Sequence, residues 1–130
     1  MDQADLQAIA DLTVQAFGLT MQPIVEWNNR GENARRGYAR YKTGHISIPV
    51  WAKSQGEEYL TYYVIHEVSH LIARHEAIGR IAPHGSFFKH IERQAMAHWG
   101  IELKFTGKKA YPDKVVCNGM VKWNRDTAKF

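Results

Sequence analysis

Five residues, His66-Glu67-Val68-Ser69-His70, have types and a spacing that can do chemistry. On an α-helix, residues four apart lie one turn apart on one face. His66 and His70 can therefore aim two imidazoles at one metal ion. Glu67 is offset from His66 by about 100°. It is close enough to reach a water on that ion without being a ligand. This is the arrangement of metal-assisted hydrolysis: zinc lowers the water's pKa and a carboxylate takes the proton. The plain alternative is two histidines that happen to share a helix face.

Two imidazoles do not complete a catalytic zinc site, which usually takes three protein ligands. Four residues downstream are candidates. His75 lies five residues after His70, about 140° further around the helix, so it faces elsewhere. Glu76 stands where the pattern HExxHxxGxxH has its third histidine, but the turn-forming glycine of that pattern is Ala73 here. Glu92 offers a carboxylate from a second helix. His84 follows Gly79 and Pro83 and precedes Gly85, a stretch that can fold back onto the motif. His84 is the favoured third ligand, and Glu92 is the open alternative.

The elements around the motif must position these groups. Residues 3–17 read as an amphipathic helix with Leu6, Ile9, Leu12 and Ala16 on its apolar stripe, stopped at Gly18. Pro23–Trp27 reads as a strand, and residues 28–37 as a polar, Gly-punctuated loop. Two strands flank Thr43-Gly44. In the second, Ile46, Ile48 and Val50 alternate, as for one buried face. Pro49 cannot donate to a ladder, so this strand sits at an edge or ends there. The motif helix begins at two glutamates that suit its positive dipole end, and Gly79 suits its cap.

On that helix, Leu60, Val64, Ile65, Val68, Leu71 and Ile72 fall within an arc of about 140°, with the histidines outside it. One face thus packs a core while the other presents a site, shared by Tyr59 and Tyr63. A second helix runs from about Ser86, as N-cap, to Trp99, with Phe88, Ile91, Ala95 and Trp99 inward. Residues 101–105 read as a strand. Asn118-Gly119 between apolar runs signals a type I′ hairpin. The expected class is α+β: one domain over residues 1–130, with a small antiparallel sheet packed on the motif helix and the second helix, and a C-terminal β-hairpin.

Composition sets limits. At 130 residues and 45% hydrophobic, the chain suits one globular domain. Its lone cysteine, Cys117, reads as a half-buried strand residue and excludes an internal disulfide or a Cys-rich zinc module. No apolar run reaches the ~20 residues that cross a bilayer, and the acidic, amphipathic start is unlike a secretory signal. The expectation is a cytoplasmic protein that makes no membrane contact and is monomeric. The net charge is +4, with acids but no Lys or Arg in residues 1–27. Basic residues outnumber acids in 28–56 and 101–130, which could contact nucleic acid but more often form a solvated face.

With these residues in view, the stretch from His66 to Gln94 resembles the core of SprT-like zinc metallopeptidases. The shared features are His66, Glu67 and His70 on one helix, then His84-Gly85 and Phe87-Phe88 opening the next. Residues 36–52 resemble that family's strand pair, and the likeness spans roughly 22–100. It implies a zincin-like fold, Zn2+ held by His66, His70 and His84, and Glu67 as general base and acid. The chain looks like a minimal bacterial or phage form, without the Cys-rich ribbon that many members carry.

The expected function is zinc-dependent hydrolysis of peptide bonds in proteins, through a zinc-bound water activated by Glu67. The strand Ile46–Val50 could pair with an extended substrate. Tyr59, Tyr63 or His90 could steady the oxyanion. A second reading is a DNA-associated binding protein whose metal site is structural or inactive. Steeply salt-dependent DNA binding without proteolysis would favour it. A third is metal-dependent hydrolysis of a non-peptide bond, since the motif specifies water activation better than the bond attacked.

Overall fold

The computed structural model describes residues 1–28, 36–107 and 111–128. The first helix, α1 (Gln3–Ala16), starts at a reciprocal cap: Asp2 Oδ1 accepts from Asp5 N–H, and Asp5 Oδ2 accepts from Asp2 N–H, each at 2.9 Å. Its buried face is Leu6, Ile9, Ala10, Thr13 and Val14. Leu12 is instead 48% exposed and Ala16 is exposed, against the sequence expectation. Stepping ~100° per residue puts both on the far side from Ala10 and Val14. Spacings of three in isolation had mixed two faces.

Strands β1 (Ile24–Asn28), β2 (Tyr38–Arg40) and β3 (His45–Pro49) form one sheet in the order β1-β3-β2. β3 is therefore the central strand, not an edge. It runs parallel to β1 and antiparallel to β2, so the sheet is mixed. The β2–β3 hairpin places β2 on the outside. Pro49 is tolerated because it is the last residue of the strand. Ile46, Ser47 and Ile48 are all buried, so both faces of β3 are covered, while Val50 has left the strand for a short 3-10 helix (Val50–Gln55) and is 40% exposed. The expected pairing of a substrate with Ile46–Val50 has no free edge to use.

The two true edges differ. Along β1, α1 supplies the missing partners: Gln7 Oε1 accepts from Val25 N–H at 2.8 Å, and Gln3 Nε2 donates to Val25 O at 2.9 Å. That edge is occupied. Among the described residues, no strand pairs with the outer edge of β2.

Helix α2 (Glu57–Glu76) runs through the middle of the molecule. Every residue from Tyr62 to Ser69 is buried, the two-faced helix expected from the sequence notwithstanding. Elements on all sides cover it: α1, the first sheet, the helix α3 (Ser86–His98) and the C-terminal strands. Its aromatic residues cause the difference. Tyr59, Tyr62 and Tyr63 occupy the supposedly open face and pack there rather than meeting solvent. α2 stops at Ala77, ahead of Gly79, and Gly85 rather than Ser86 caps α3. Phe88, Ile91 and Ala95 are buried on α3 as expected, joined by Glu92 and Met96.

Strands β4 (Ile101–Lys104), β5 (Lys114–Cys117) and β6 (Met120–Asn124) form a second, antiparallel sheet. Asn118 and Gly119, both at positive φ, make the β5–β6 turn as the sequence predicts. Cys117 is half-buried on β5. Trp123 on β6 stacks on Tyr59, 4.4 Å between ring centroids, tying this sheet to α2. The class is α+β, with the motif helix between two small sheets and α3 packed on it and on β4. No helix among the described residues is long and apolar enough to cross a membrane.

Candidate metal centre

His66 and His70 sit one turn apart on α2, their ring centroids 5.0 Å apart. His84 comes from the connection between α2 and α3. A turn closed by Gly85 N–H on Ala82 O at 3.1 Å carries it back over the helix. Its ring centroid lies 5.3 Å from His66 and 4.8 Å from His70. His70 Nε2 faces His84 Nε2 at 3.1 Å. One nitrogen from each of the three histidines lies within 4.8 Å of the other two, a group that can hold a metal ion. Phe88 is their common wall: His70 stacks on it at 4.1 Å and the other two rings meet it edge-on.

Hydrogen bonding decides which nitrogens are available. His66 Nδ1 lies 2.5 Å from Glu92 Oε2, in a pair buried on both sides. A carboxylate only accepts, so Nδ1 donates to Glu92 and Nε2 is the nitrogen left for the three-histidine group. That Nε2 is buried and has no hydrogen-bond partner. A buried polar atom without a partner costs about 1–3 kcal/mol. A cation at the three-histidine group would remove that cost, and the residues fit one. Glu92 thus touches the back of His66 and does not join the three-histidine group as the alternative ligand.

Electrostatics point the same way. Burial, then the nearby His66 and His84, push the His70 pKa down to about 3. Burial and His66 also lower that of His84. Both rings are neutral at pH 7, as nitrogen ligands must be. Burial pushes Glu67 up to about 7, with His66 opposing and Glu92 adding to the rise. A carboxyl with a pKa near 7 is poised to take and return a proton.

The remaining candidates fall elsewhere. His75 and Glu76 are exposed at the end of α2, and His90 and His98 are exposed on α3. Tyr59 is packed against Trp123. Tyr63 Oη accepts the Gly37 N–H at 2.8 Å. Sequence reasoning missed Tyr111, in the connection between β4 and β5. Its ring lies 5.3 Å from that of His66 and 6.0 Å from that of Tyr63. No periodicity or motif marks it. Burial raises the Tyr111 pKa, while a hydrogen bond with Tyr63 lowers it and raises that of Tyr63.

Glu67, His70, His84 and Tyr111 line one open cleft of about 380 Å³, with Gly37, Tyr38 and Ala39 at the outer strand on its other wall. A larger hollow of about 860 Å³ lies behind His84, between α3 and β4, but Glu67 does not border it.

An α+β fold carrying HExxH on a central helix, with a third histidine folded back beside it, has the features of a metallopeptidase. The family can be stated more closely: the chain belongs to the SprT-like family, whose model matches residues 4–108. Among solved structures, it is similar to the crystal structure of the metallopeptidase zymogen of Pyrococcus abyssi abylysin. That similarity has 20% identity over 72% of this chain and 93% of the other, with a TM-score of 0.48. Comparison with curated proteins gives no match. Family and histidine group together support a metallopeptidase-type function.

Proposed function

We propose that the protein is a zinc-dependent endopeptidase acting on extended protein segments. The observation that carries this reading is the pairing of three convergent imidazoles, one with a buried, unpartnered Nε2, with a carboxyl whose pKa is about 7. His66, His70 and His84 would hold the ion. Glu92 fixes the His66 tautomer and ring orientation from behind. Bound zinc supplies a Lewis acid that polarises a carbonyl and lowers the pKa of water. Glu67 takes the proton of the attacking water and returns it to the leaving amine. The outer edge of β2 borders the same cleft, and an extended substrate adding there would present its backbone beside Glu67.

Zinc content and cleavage of an unstructured protein such as casein test this in wild type and Glu67→Gln. Glu67→Gln should keep its zinc and lose cleavage by about 100-fold or more. Equal cleavage by the two proteins would reject Glu67 as the base. A wild type that takes up zinc yet cleaves no protein would reject the peptidase reading.

A further inference from the structure

Tyr111 lies beyond the family match at residues 4–108 but borders the cleft that holds Glu67, His70 and His84. Two sets of contacts fix it there. Arg125 Nη2 donates to the carbonyls of Tyr111 and Pro112, at 3.0 and 2.8 Å, and Arg125 Nη1 pairs with Asp113 Oδ1 at 3.2 Å. The backbone that follows the ring is thereby clamped to the residue after β6. At the phenol, Gly37 N–H donates to Tyr63 Oη at 2.8 Å, and the Tyr63 and Tyr111 side chains share a hydrogen bond. A Tyr63 oxygen that already accepts from Gly37 has its O–H to give to Tyr111, and in that arrangement the Tyr111 O–H is the donor left over. A free phenol carries its proton at neutral pH and is both donor and acceptor. Donors linked in series polarise one another, which strengthens the last one.

We propose that Tyr111 is a catalytic residue, its O–H donating to the scissile carbonyl oxygen as negative charge gathers there. The inference rests on the peptidase reading and adds the group that stabilises the oxyanion. No bond to Tyr111 is made or broken. Water oxygen adds to the carbonyl carbon, the carbonyl π pair moves to oxygen, and the water proton passes to Glu67. When the C–N bond breaks, that proton leaves with the amine. Tyr111 holds the oxyanion until the carbonyl reforms. Gly37, Tyr63 and Arg125 act through Tyr111 and are positioning residues.

The test compares Tyr111→Phe with wild type in four measurements: bound zinc, melting temperature, steady-state cleavage of a fluorogenic peptide, and affinity for a phosphonamidate peptide. The last probe carries a tetrahedral anionic centre and needs no turnover. The expected result is unchanged zinc, melting temperature and KM, a kcat lower by about 100-fold, and a comparable loss of phosphonamidate affinity. Equal kcat and equal phosphonamidate affinity would overturn the proposal. Loss of zinc would overturn it too, by making Tyr111 a ligand, and a change in KM alone would make it a wall of the cleft. Arg125→Ala, which frees the backbone but keeps the phenol, should lower kcat with zinc unchanged, and no effect on kcat would count against the clamp. Wild-type cleavage, read separately, tests the peptidase reading itself, while the phosphonamidate comparison reads Tyr111 regardless of substrate.

Discussion

At the scale of single residues, the site is a set of protonation states imposed by burial. Glu92 holds a proton on His66 Nδ1, and neighbouring imidazoles with low dielectric keep His70 neutral. Glu67 is pushed the other way, from 4.5 to about 7. Its folded state binds the proton more tightly than the unfolded chain, so its contribution to stability is complete below pH 4.5 and is lost as the pH rises to about 7. His70 has the opposite sign: its contribution is complete above pH 6.5 and is lost as the pH falls towards 3. In chelator-treated protein, Glu67→Gln should therefore gain stability relative to wild type between these limits for Glu67. The gain should reach about 3 kcal/mol at most by pH 7. Chemical denaturation at pH 4.5, 5.5 and 7 measures it, and a difference that does not vary with pH would refute the assignment.

Elements set the distances. α2 is buried from Tyr62 to Ser69 because α1, α3 and both sheets pack around it, and within that burial His66 Nε2 has no hydrogen-bond partner. At β2 the approach is closest at Gly37. A Cβ there would meet Ser47 O at 2.5 Å and Tyr63 Cε1 at 2.6 Å. The carbonyl belongs to the central strand and cannot yield, and Tyr63 is itself buried. Gly37→Ala should therefore destabilise the fold by about 1–3 kcal/mol. The melting temperature should fall by roughly 5 °C or more. An unaltered melting curve would show that β2 does not sit so tightly on α2.

Across the whole molecule, the three-histidine group joins the central helix to the connection that leads into α3. A ligand that binds only this folded arrangement stabilises it by mass action, by about 2.7 kcal/mol at one hundred times Kd. Zinc should raise the melting temperature of wild type, and a chelator should reverse the rise. His84 is exposed, so His84→Ala should melt close to wild type without metal. It should also gain little from zinc. The same zinc-induced rise in both proteins would remove His84 from the site.

Much of this was legible in the residues. The spacing of His66, Glu67 and His70 determines their shared place on a helix, because the helical repeat is local. The Asn118-Gly119 turn is legible for the same reason: its backbone angles belong to those two residues. The position of His84 could be proposed from Gly79, Pro83 and Gly85, but its ring meets His70 only because α3 packs back on α2. Other features depended entirely on tertiary structure. Glu92 was open as an alternative ligand until packing put it behind His66. Pro49 allowed β3 to be an edge or to end there; it ends there, and the parallel pairing with β1 makes it central and leaves the free edge to β2. Tyr111 carries no local signature, since its place in the cleft comes from Arg125 and Tyr63, both distant in sequence. Local geometry is encoded within a few residues, but burial, pairing order and proton placement arise only when distant segments exclude water together.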